Sequence, residues 1–183
     1  MTHSQYWSLL ESEHIADCRV FTVKRNLSRN EGRQQGKTFS FYVIKPSNWI
    51  NIIPITPEGN VVMVKQFRHG IREVTLEVPG GMVDSGEEPA AAAAREMLEE
   101  TGYASDEIIH LGTNHPNPAL QDNVCDSFVA LNVRKVQEPV FDANEDIEIM
   151  QVPLAQVPEM IRKGEIMHAL VITAFHMFDL HKK

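Results

Sequence analysis

The chain has few cysteines and no long hydrophobic run, and each lack excludes a class of protein. Its 183 residues include only two cysteines, Cys18 and Cys125, which form no metal-binding or redox motif. Two isolated thiols suit a reducing compartment, so we expect no disulfide framework and a cytoplasmic location. No apolar run approaches the roughly 18 residues that a membrane-spanning helix requires, and we expect no secretion signal.

Excess positive charge is also lacking. The formal net charge is −8 at pH 7, from 17 basic and 25 acidic residues. This balance excludes broad binding to nucleic acid, which requires a basic surface. It is compatible with a phosphate-bearing substrate, because bound metal ions supply local positive charge.

Alternation of polar and apolar residues divides the chain into two parts. It predicts strands at 17–28 and 38–44, so residues 1–47 are expected to form a small antiparallel β-unit. Residues 48–183 are expected to form the second domain. Its predicted strands lie at 50–56, 61–67, 74–78, 108–113, 124–133 and 147–153, and its last two helices at 154–163 and 168–180. Mixed strands flanked by helices indicate an α/β or α+β fold.

The most informative segment runs from Gly80 to Tyr103 and reads GGMVDSGEEPAAAAAREMLEETGY. Pro89 suits a first helical position, the run of five alanines favours helix, and Gly102 is a natural C-terminal stop. We therefore predict a helix over about 88–101, entered from a glycine-rich loop.

Three glutamates of this helix share one face. Glu96 and Glu100 lie about 40° apart around the helix axis, with Glu99 beside them. Their mutual repulsion requires a counter-charge, and Mg²⁺ or Mn²⁺ binds carboxylate oxygens while leaving positions for substrate phosphate. The glycine-rich loop can add a carbonyl ligand, for which we choose Gly80. A merely solvated acidic face would leave the loop and the terminal glycine unexplained.

The fixed positions read Gly-x5-Glu-x7-Arg-Glu-x2-Glu-Glu-x-Gly from Gly81, and the pattern resembles the signature of the Nudix hydrolases. The resemblance implies an αβα sandwich around a mixed sheet, and Mg²⁺-dependent attack of water on a diphosphate. It implies that Glu96 and Glu100 hold the metal and that Arg95 orients the glutamates. Glu99 would add a ligand or bind metal-bound waters, and Glu87 would support the metal from the loop side.

Features outside this signature resemble the ADP-ribose and nucleoside diphosphate sugar branch of the family. They are the strand end 66–68, Pro118 sixteen residues after Gly102, and the acidic run 142–146. One departure is Asn117-Pro118-Ala119, where ADP-ribose enzymes commonly carry Ser-Pro-Gly. Pro118 itself is a candidate substrate contact. Because of the departure around it, sugar nucleotides other than ADP-ribose stay open as substrates.

Three further residues are candidates for binding substrate. Arg68 is suited to bidentate bonding with a phosphate, the alternative being a surface arginine at a strand end. Glu77 is a candidate to bind metal or orient an arginine, the alternative being an inward pair with Arg95. Trp49 is our choice for stacking on a nucleobase, the alternative being core packing. Weaker candidates for stacking are Trp7, Phe41 and Tyr42.

Glu145 is our choice for the carboxylate that orients or deprotonates the attacking water. It lies in an acidic run that a simple solvated loop would also explain. Its rivals are Asp142, Asp146 and Glu148. The histidines show no metal-ligand spacing, and no serine or cysteine lies in a nucleophile motif, so covalent catalysis is not expected.

The sequence therefore predicts Mg²⁺-dependent hydrolysis of nucleoside diphosphate sugars, of the ADP-ribose, GDP-sugar or UDP-sugar type, to a nucleoside monophosphate and a sugar phosphate. A hydrolase of nucleoside triphosphates or capped RNA would keep the same signature but lack Pro118 and the N-terminal β-unit. A non-catalytic nucleotide sensor would be expected to lose the signature carboxylates, which are intact here.

A homodimer is also expected. The alternating strands between residues 17 and 44 bury only one face each, and a small isolated sheet is marginally stable. The resemblance implies that the N-terminal sheets of two copies are shared. A two-fold arrangement would then place Trp49 or a neighbouring aromatic residue as a base platform at the dimer interface.

Overall fold

The computed structural model describes residues 6–141 and 146–181. The chain divides into two compact units. The first comprises Met1–Ser47 together with His115–Asn123, and the second comprises Asn48–Asn114 and Val124–Lys183. The sequence had assigned 115–123 to the second domain. This segment joins the first unit because Ile44 donates its backbone N–H to the carbonyl of Leu120 at 2.7 Å.

The first unit contains a three-stranded antiparallel sheet in the order β1-β2-β3. Its strands are β1 (Trp7–Asp17), β2 (Phe21–Asn30) and β3 (Thr38–Pro46). The sequence predicted the second and third strands but not the first. Two irregularities in the pairing of β1 with β2 interrupt its alternation, which is why the pattern of β1 did not indicate a strand.

The second unit contains the remaining strands. They are β4 (Trp49–Pro54), β5 (Asn60–Arg68), β6 (Glu73–Glu77), β7 (Gly80–Met82), β8 (Tyr103–Ala104), β9 (Glu107–Asn114), β10 (Cys125–Leu131), β11 (Arg134–Lys135) and β12 (Ile147–Pro153). One sheet has the order β7-β4-β10-β9, another has the order β12-β5-β6, and β8 pairs with β11. The first of these is mixed, since β4 and β10 run parallel. The predicted glycine-rich loop is in part the strand β7, too short to be recognised from its pattern.

The described part of this unit also contains three α-helices: α1 (Pro89–Thr101), α2 (Val157–Lys163) and α3 (Ala169–His181). Pro89 stands at the start of α1, as predicted. Gly102 ends the helix in the left-handed conformation, with φ 75°, and its N–H bonds to the carbonyl of Leu98. A Cβ at this glycine would lie 2.1 Å from the carbonyl oxygen of Gln137, so only glycine fits there.

Helices cover both faces of the sheet that contains β4. Ile50 and Ile52 belong to a buried cluster with Met97 of α1, whereas Ile53 belongs to a second cluster with Phe175 of α3. Because neighbouring residues of a strand point to opposite faces, this alternation places one helix on each side. The predicted sandwich around a mixed sheet is confirmed. Among the described residues, no helix is long and apolar enough to span a membrane.

Candidate active site

The centre of the candidate site is Arg95, on α1. Its guanidinium forms a two-pronged pair with Glu87, with both N–O distances 3.0 Å, and also contacts Glu96 at 2.9 Å and Glu99 at 3.1 Å. A fifth bond, at 3.2 Å, goes to the carbonyl of Met82 in β7. Bonding to Glu87, opposed by desolvation and aided by the other glutamates, raises the pKa of Arg95 above its ordinary value. Arg95 thus supplies the counter-charge for three carboxylates.

Glu100, the fourth acidic residue, binds β7 instead. It is buried, and its carboxylate accepts a hydrogen bond of 3.1 Å from the N–H of Gly80. Gly80 lies opposite Asn51 in the pairing of β7 with β4. At the next position of this pairing, Ile52 donates its backbone N–H to the carbonyl of Pro79. Hydrogen-bonded and non-hydrogen-bonded residue pairs alternate along antiparallel strands, so the N–H and the carbonyl of Gly80 both point away from β4. Because β7 is an edge strand, the Gly80 carbonyl faces the free edge beside Glu100.

Gly81 allows Glu96 to reach the same strand. A Cβ on Gly81 would lie 2.4 Å from the carboxylate carbon of Glu96. Any side chain there would displace the glutamate, so the glycine at this signature position is a packing requirement. The glycine-rich strand and the acidic helix face are therefore in direct contact.

The described residues contain no preassembled group of three acidic, histidine or cysteine side chains that could hold a metal ion. Arg95 instead separates and neutralises the carboxylates of Glu87, Glu96 and Glu99. The donor set of carboxylates and a backbone carbonyl is nevertheless the hard oxygen set that Mg²⁺ and Mn²⁺ prefer. Glu96, Glu100 and Gly80 thus fit a divalent cation in their chemistry, and their assignment as ligands stays a prediction.

A second ion pair lies between β5 and β6. Arg68 donates two hydrogen bonds to Glu77, at 2.7 and 2.6 Å, and Thr75 donates a third at 2.5 Å. His168 Nδ1 lies 3.2 Å from the same carboxylate, outside good hydrogen-bonding geometry. Burial opposes ionisation of Glu77, but the hydrogen bonds and charge of Arg68, the adjacent His168 and the hydrogen bond from Thr75 outweigh it and hold the pKa well below its ordinary value. The alternative expectation that Glu77 pairs with Arg95 is wrong, because Arg68 on the neighbouring strand is its partner.

A cleft of about 540 Å³ in the second unit brings together several predicted residues. Trp49, Arg68 and Gly80 all line it. Its walls also include side chains that the sequence did not single out for substrate binding, namely Asn51, Thr75 and His168. Asn51 carried a usable signal, since it is a polar residue within the apolar run of β4. Thr75 and His168 carried none, because their role depends on the position of Glu77.

Of the remaining candidates, Asp146 and Glu148 do not line this cleft. Pro118 belongs to the first unit. Glu145 and Asp142 lie outside the described residues, and Asp146 is exposed. Glu148, also exposed, accepts a hydrogen bond of 3.1 Å from Lys65 across β12 and β5. The choice among these carboxylates therefore stays a prediction.

The known proteins to which this chain is similar agree with one another in family. The NUDIX domain family model matches residues 48–172. The chain is 29% identical to the ADP-ribose pyrophosphatase of Bacillus subtilis over 146 residues, which cover 79% of each chain. It is 27% identical to the GDP-mannose pyrophosphatase of Salmonella arizonae over 191 residues, covering 97% of this chain and 98% of the relative. The predicted family branch is confirmed by these relatives.

A solved structure supports the fold independently. The crystal structure described as an ADP compounds hydrolase matches with a TM-score of 0.84 and 21% sequence identity. The match covers 98% of this chain and 95% of that one. Agreement over nearly the whole length confirms the architecture described above.

The pair of Glu77 and Arg68 generates a prediction about stability. Glu77→Gln should lower the free energy of unfolding at pH 7 by about 2 kcal/mol, less than for a fully buried pair because Arg68 is 42% exposed. The folded pKa of Glu77 is depressed, so its ionised form stabilises above the ordinary pKa near 4.5, and this stabilisation is lost as the pH falls below it. The difference between wild type and variant should shrink from pH 6 to pH 3.

Urea denaturation at both pH values measures this difference. Glu148→Gln is the matched control, because it removes an exposed carboxylate paired with Lys65 and should change stability little. A constant difference between pH 6 and pH 3 would show that the charge of Glu77 does not stabilise the fold.

Proposed function

Because the chain belongs to the NUDIX domain family, we propose that it hydrolyses the diphosphate of nucleoside diphosphate sugars with the help of Mg²⁺ or Mn²⁺. The relatives named ADP-ribose pyrophosphatase and GDP-mannose pyrophosphatase support this substrate class. The observation that carries the proposal is the position of β7. Its Gly80 contacts Glu100 on one side and lines the cleft that contains Arg68 and Trp49. Metal-ligating groups and a substrate cleft therefore meet at one strand.

Each signature residue has a distinct part in this proposal. Glu96, Glu100 and the Gly80 carbonyl would hold the cation. When bound, it would neutralise the diphosphate and lower the pKa of a coordinated water. Arg95 fixes the rotamers of Glu87 and Glu96 through the bonds described above, so that the carboxylates stay in place. Glu99, which is half-exposed, would add a ligand or accept a hydrogen bond from water.

The cleft would bind the substrate beside the cation. Arg68 brings a permanent positive charge to its wall, and the rigid pairing with Glu77 fixes the orientation of the guanidinium. We assign to Arg68 a contact with substrate phosphate and to Trp49 stacking on the base. Glu77 acts through Arg68 as a positioning residue. A substrate contact by Pro118 is retained from the family resemblance alone.

Hydrolysis also needs a group that orients or deprotonates water. We retain Glu145 for this part, with Asp142, Asp146 and Glu148 as rivals. The products would be a nucleoside monophosphate and a sugar phosphate.

The first functional prediction concerns the metal. Activity on ADP-ribose should disappear with chelator and return with Mg²⁺ or Mn²⁺. Glu96→Gln and Glu100→Gln should each lower kcat by about 100-fold or more, because each removes one charged ligand of a catalytic ion. Steady-state kinetics and circular dichroism measure turnover and fold. Glu159→Gln, on exposed α2, is the control and should keep normal kcat. Near-normal kcat in both Glu96→Gln and Glu100→Gln would refute the proposal.

The second concerns the water-activating carboxylate. Glu145→Gln should lower kcat with little change in KM, because a general base acts in the transition state and not in substrate binding. Glu148→Gln, which breaks only the exposed contact with Lys65, should leave kcat unchanged. A large loss in Glu148→Gln with none in Glu145→Gln would move the assignment to Glu148.

We also propose that two copies of the chain associate through their first units. None of residues 6–47 is buried, so the sheet has no core of its own. Trp7 packs edge-on against Phe39 and Phe41, with ring centroids 5.7 and 5.2 Å away, and all three are partly exposed. An aromatic face of this kind requires apolar cover, which a second copy of the same face supplies.

Light scattering tests this association. The full-length protein should be a dimer, and Phe41→Arg should yield monomers with weakened nucleotide binding, because the charge cannot be desolvated in an apolar interface. Removal of residues up to about 46 should have the same effect. Tyr42→Arg is the matched control, since its side chain points to the other face of β3 and should leave the dimer intact. A monomeric wild type with normal activity would overturn the proposal.

A further inference from the structure

Asn51 is a buried polar residue whose side-chain amide nitrogen has no hydrogen-bond partner among the described residues. It lies in β4 between Ile50 and Ile52, and only 7% of its surface is exposed. Within residues 6–141 and 146–181, no group bonds to its Nδ2 atom. Buried polar groups are normally paired, because leaving one unpaired costs free energy. Asn51 also lines the substrate cleft, so its unpaired amide nitrogen points to a ligand as its partner.

The neighbouring strands do not provide that partner. Gly80 of β7 lies opposite Asn51 and has no side chain. A Cβ on Gly80 would lie 2.7 Å from Asn51 Oδ1, so the absence of a side chain makes the room that Asn51 occupies. On the other side, Ser127 of β10 stands at the paired position, but its buried hydroxyl has no hydrogen-bond partner either among the described residues. The side chain of Asn51 is thus accommodated by both neighbours, while its Nδ2 atom has no hydrogen bond to either.

Asn51 lies between Trp49, which we assign to the base, and Gly80, which we assign to the cation. Trp49 is two residues earlier on the same face of β4, about 7 Å along the strand. Gly80, whose carbonyl we assign to the cation, lies directly across from Asn51. In a nucleoside diphosphate sugar, the group next to the diphosphate is a sugar, and its hydroxyls are hydrogen-bond acceptors as well as donors.

We propose that the Asn51 amide donates a hydrogen bond to a hydroxyl oxygen of the sugar that adjoins the diphosphate in the cleft. Asn51 is then a specificity-determining residue, and the inference rests on the proposed hydrolysis of nucleoside diphosphate sugars. It follows that replacing Asn51 by an apolar residue of similar size removes an unpaired buried group from the free protein. The free protein should lose no stability, while the complex loses a hydrogen bond.

The test compares Asn51→Leu and Asn51→Asp with wild type in steady-state hydrolysis of ADP-ribose. Three substrates are used: ADP-ribose and two analogues in which one ribose or the other lacks its free hydroxyls. Both variants should raise KM for ADP-ribose about tenfold, with a smaller effect on kcat. For the analogue that lacks hydroxyls on the ribose bound by Asn51, the KM of both variants should differ little from that of wild type.

Ser127→Ala is the matched control. Ser127 is buried at the paired position and also carries an unpaired polar atom, but it does not line the cleft. It should keep wild-type KM. Thermal unfolding of the free proteins should show Asn51→Leu at least as stable as wild type.

The outcomes separate this inference from the proposed function. Unchanged KM in both Asn51 variants, an equal loss with all three substrates, or an equal loss in Ser127→Ala would overturn the role of Asn51 alone. A marked loss of stability in Asn51→Leu would also overturn it, because Asn51 would then be structural. Absence of any turnover by the wild type would overturn the proposed function and this inference together.

Discussion

The site depends on the bonds of one guanidinium to three carboxylates. Glu96 and Glu99 share a helix face and would repel each other without Arg95, which also binds Glu87 from the preceding loop. The same side chain reaches the carbonyl of Met82, so helix, loop and edge strand are joined at one residue. Arginine suits this position because its planar group donates in several directions at once and stays charged at every relevant pH.

Two adjacent glycines allow the glutamates bound by Arg95 to lie next to the substrate cleft. Gly81 admits the carboxylate of Glu96, whereas Gly80 admits the side chain of Asn51. Because successive residues of a strand face opposite ways, the two glycines clear space on opposite sides of β7. A strand of three residues can therefore separate the acidic helix face from the substrate cleft while contacting both. An alanine at either position would displace the side chain that the glycine admits.

Local sequence signals were sufficient for much of this structure. Pro89, the alanine run and Gly102 defined α1 to within a residue, and alternation located every long strand of the second unit. The partner of Glu77 was not accessible in this way, because it depends on how β5 pairs with β6. The strand β1 was hidden by its irregular pairing, and β7 by its length. The pairing between elements could therefore not be predicted from the sequence, because no single segment encodes it.

Two buried polar side chains, Glu77 and Asn51, show opposite solutions to burial. Glu77 is fully bonded in the free protein, so its charge stabilises the fold and holds Arg68 rigid. The Nδ2 atom of Asn51 has no hydrogen bond among the described residues, although an apolar residue would suit its strand better. A buried polar residue in an apolar run is an exception to local rules of stability, and such exceptions are expected where binding, and not folding, determines the side chain. The contrast identifies Asn51 as the position where this chain retains polarity for a ligand.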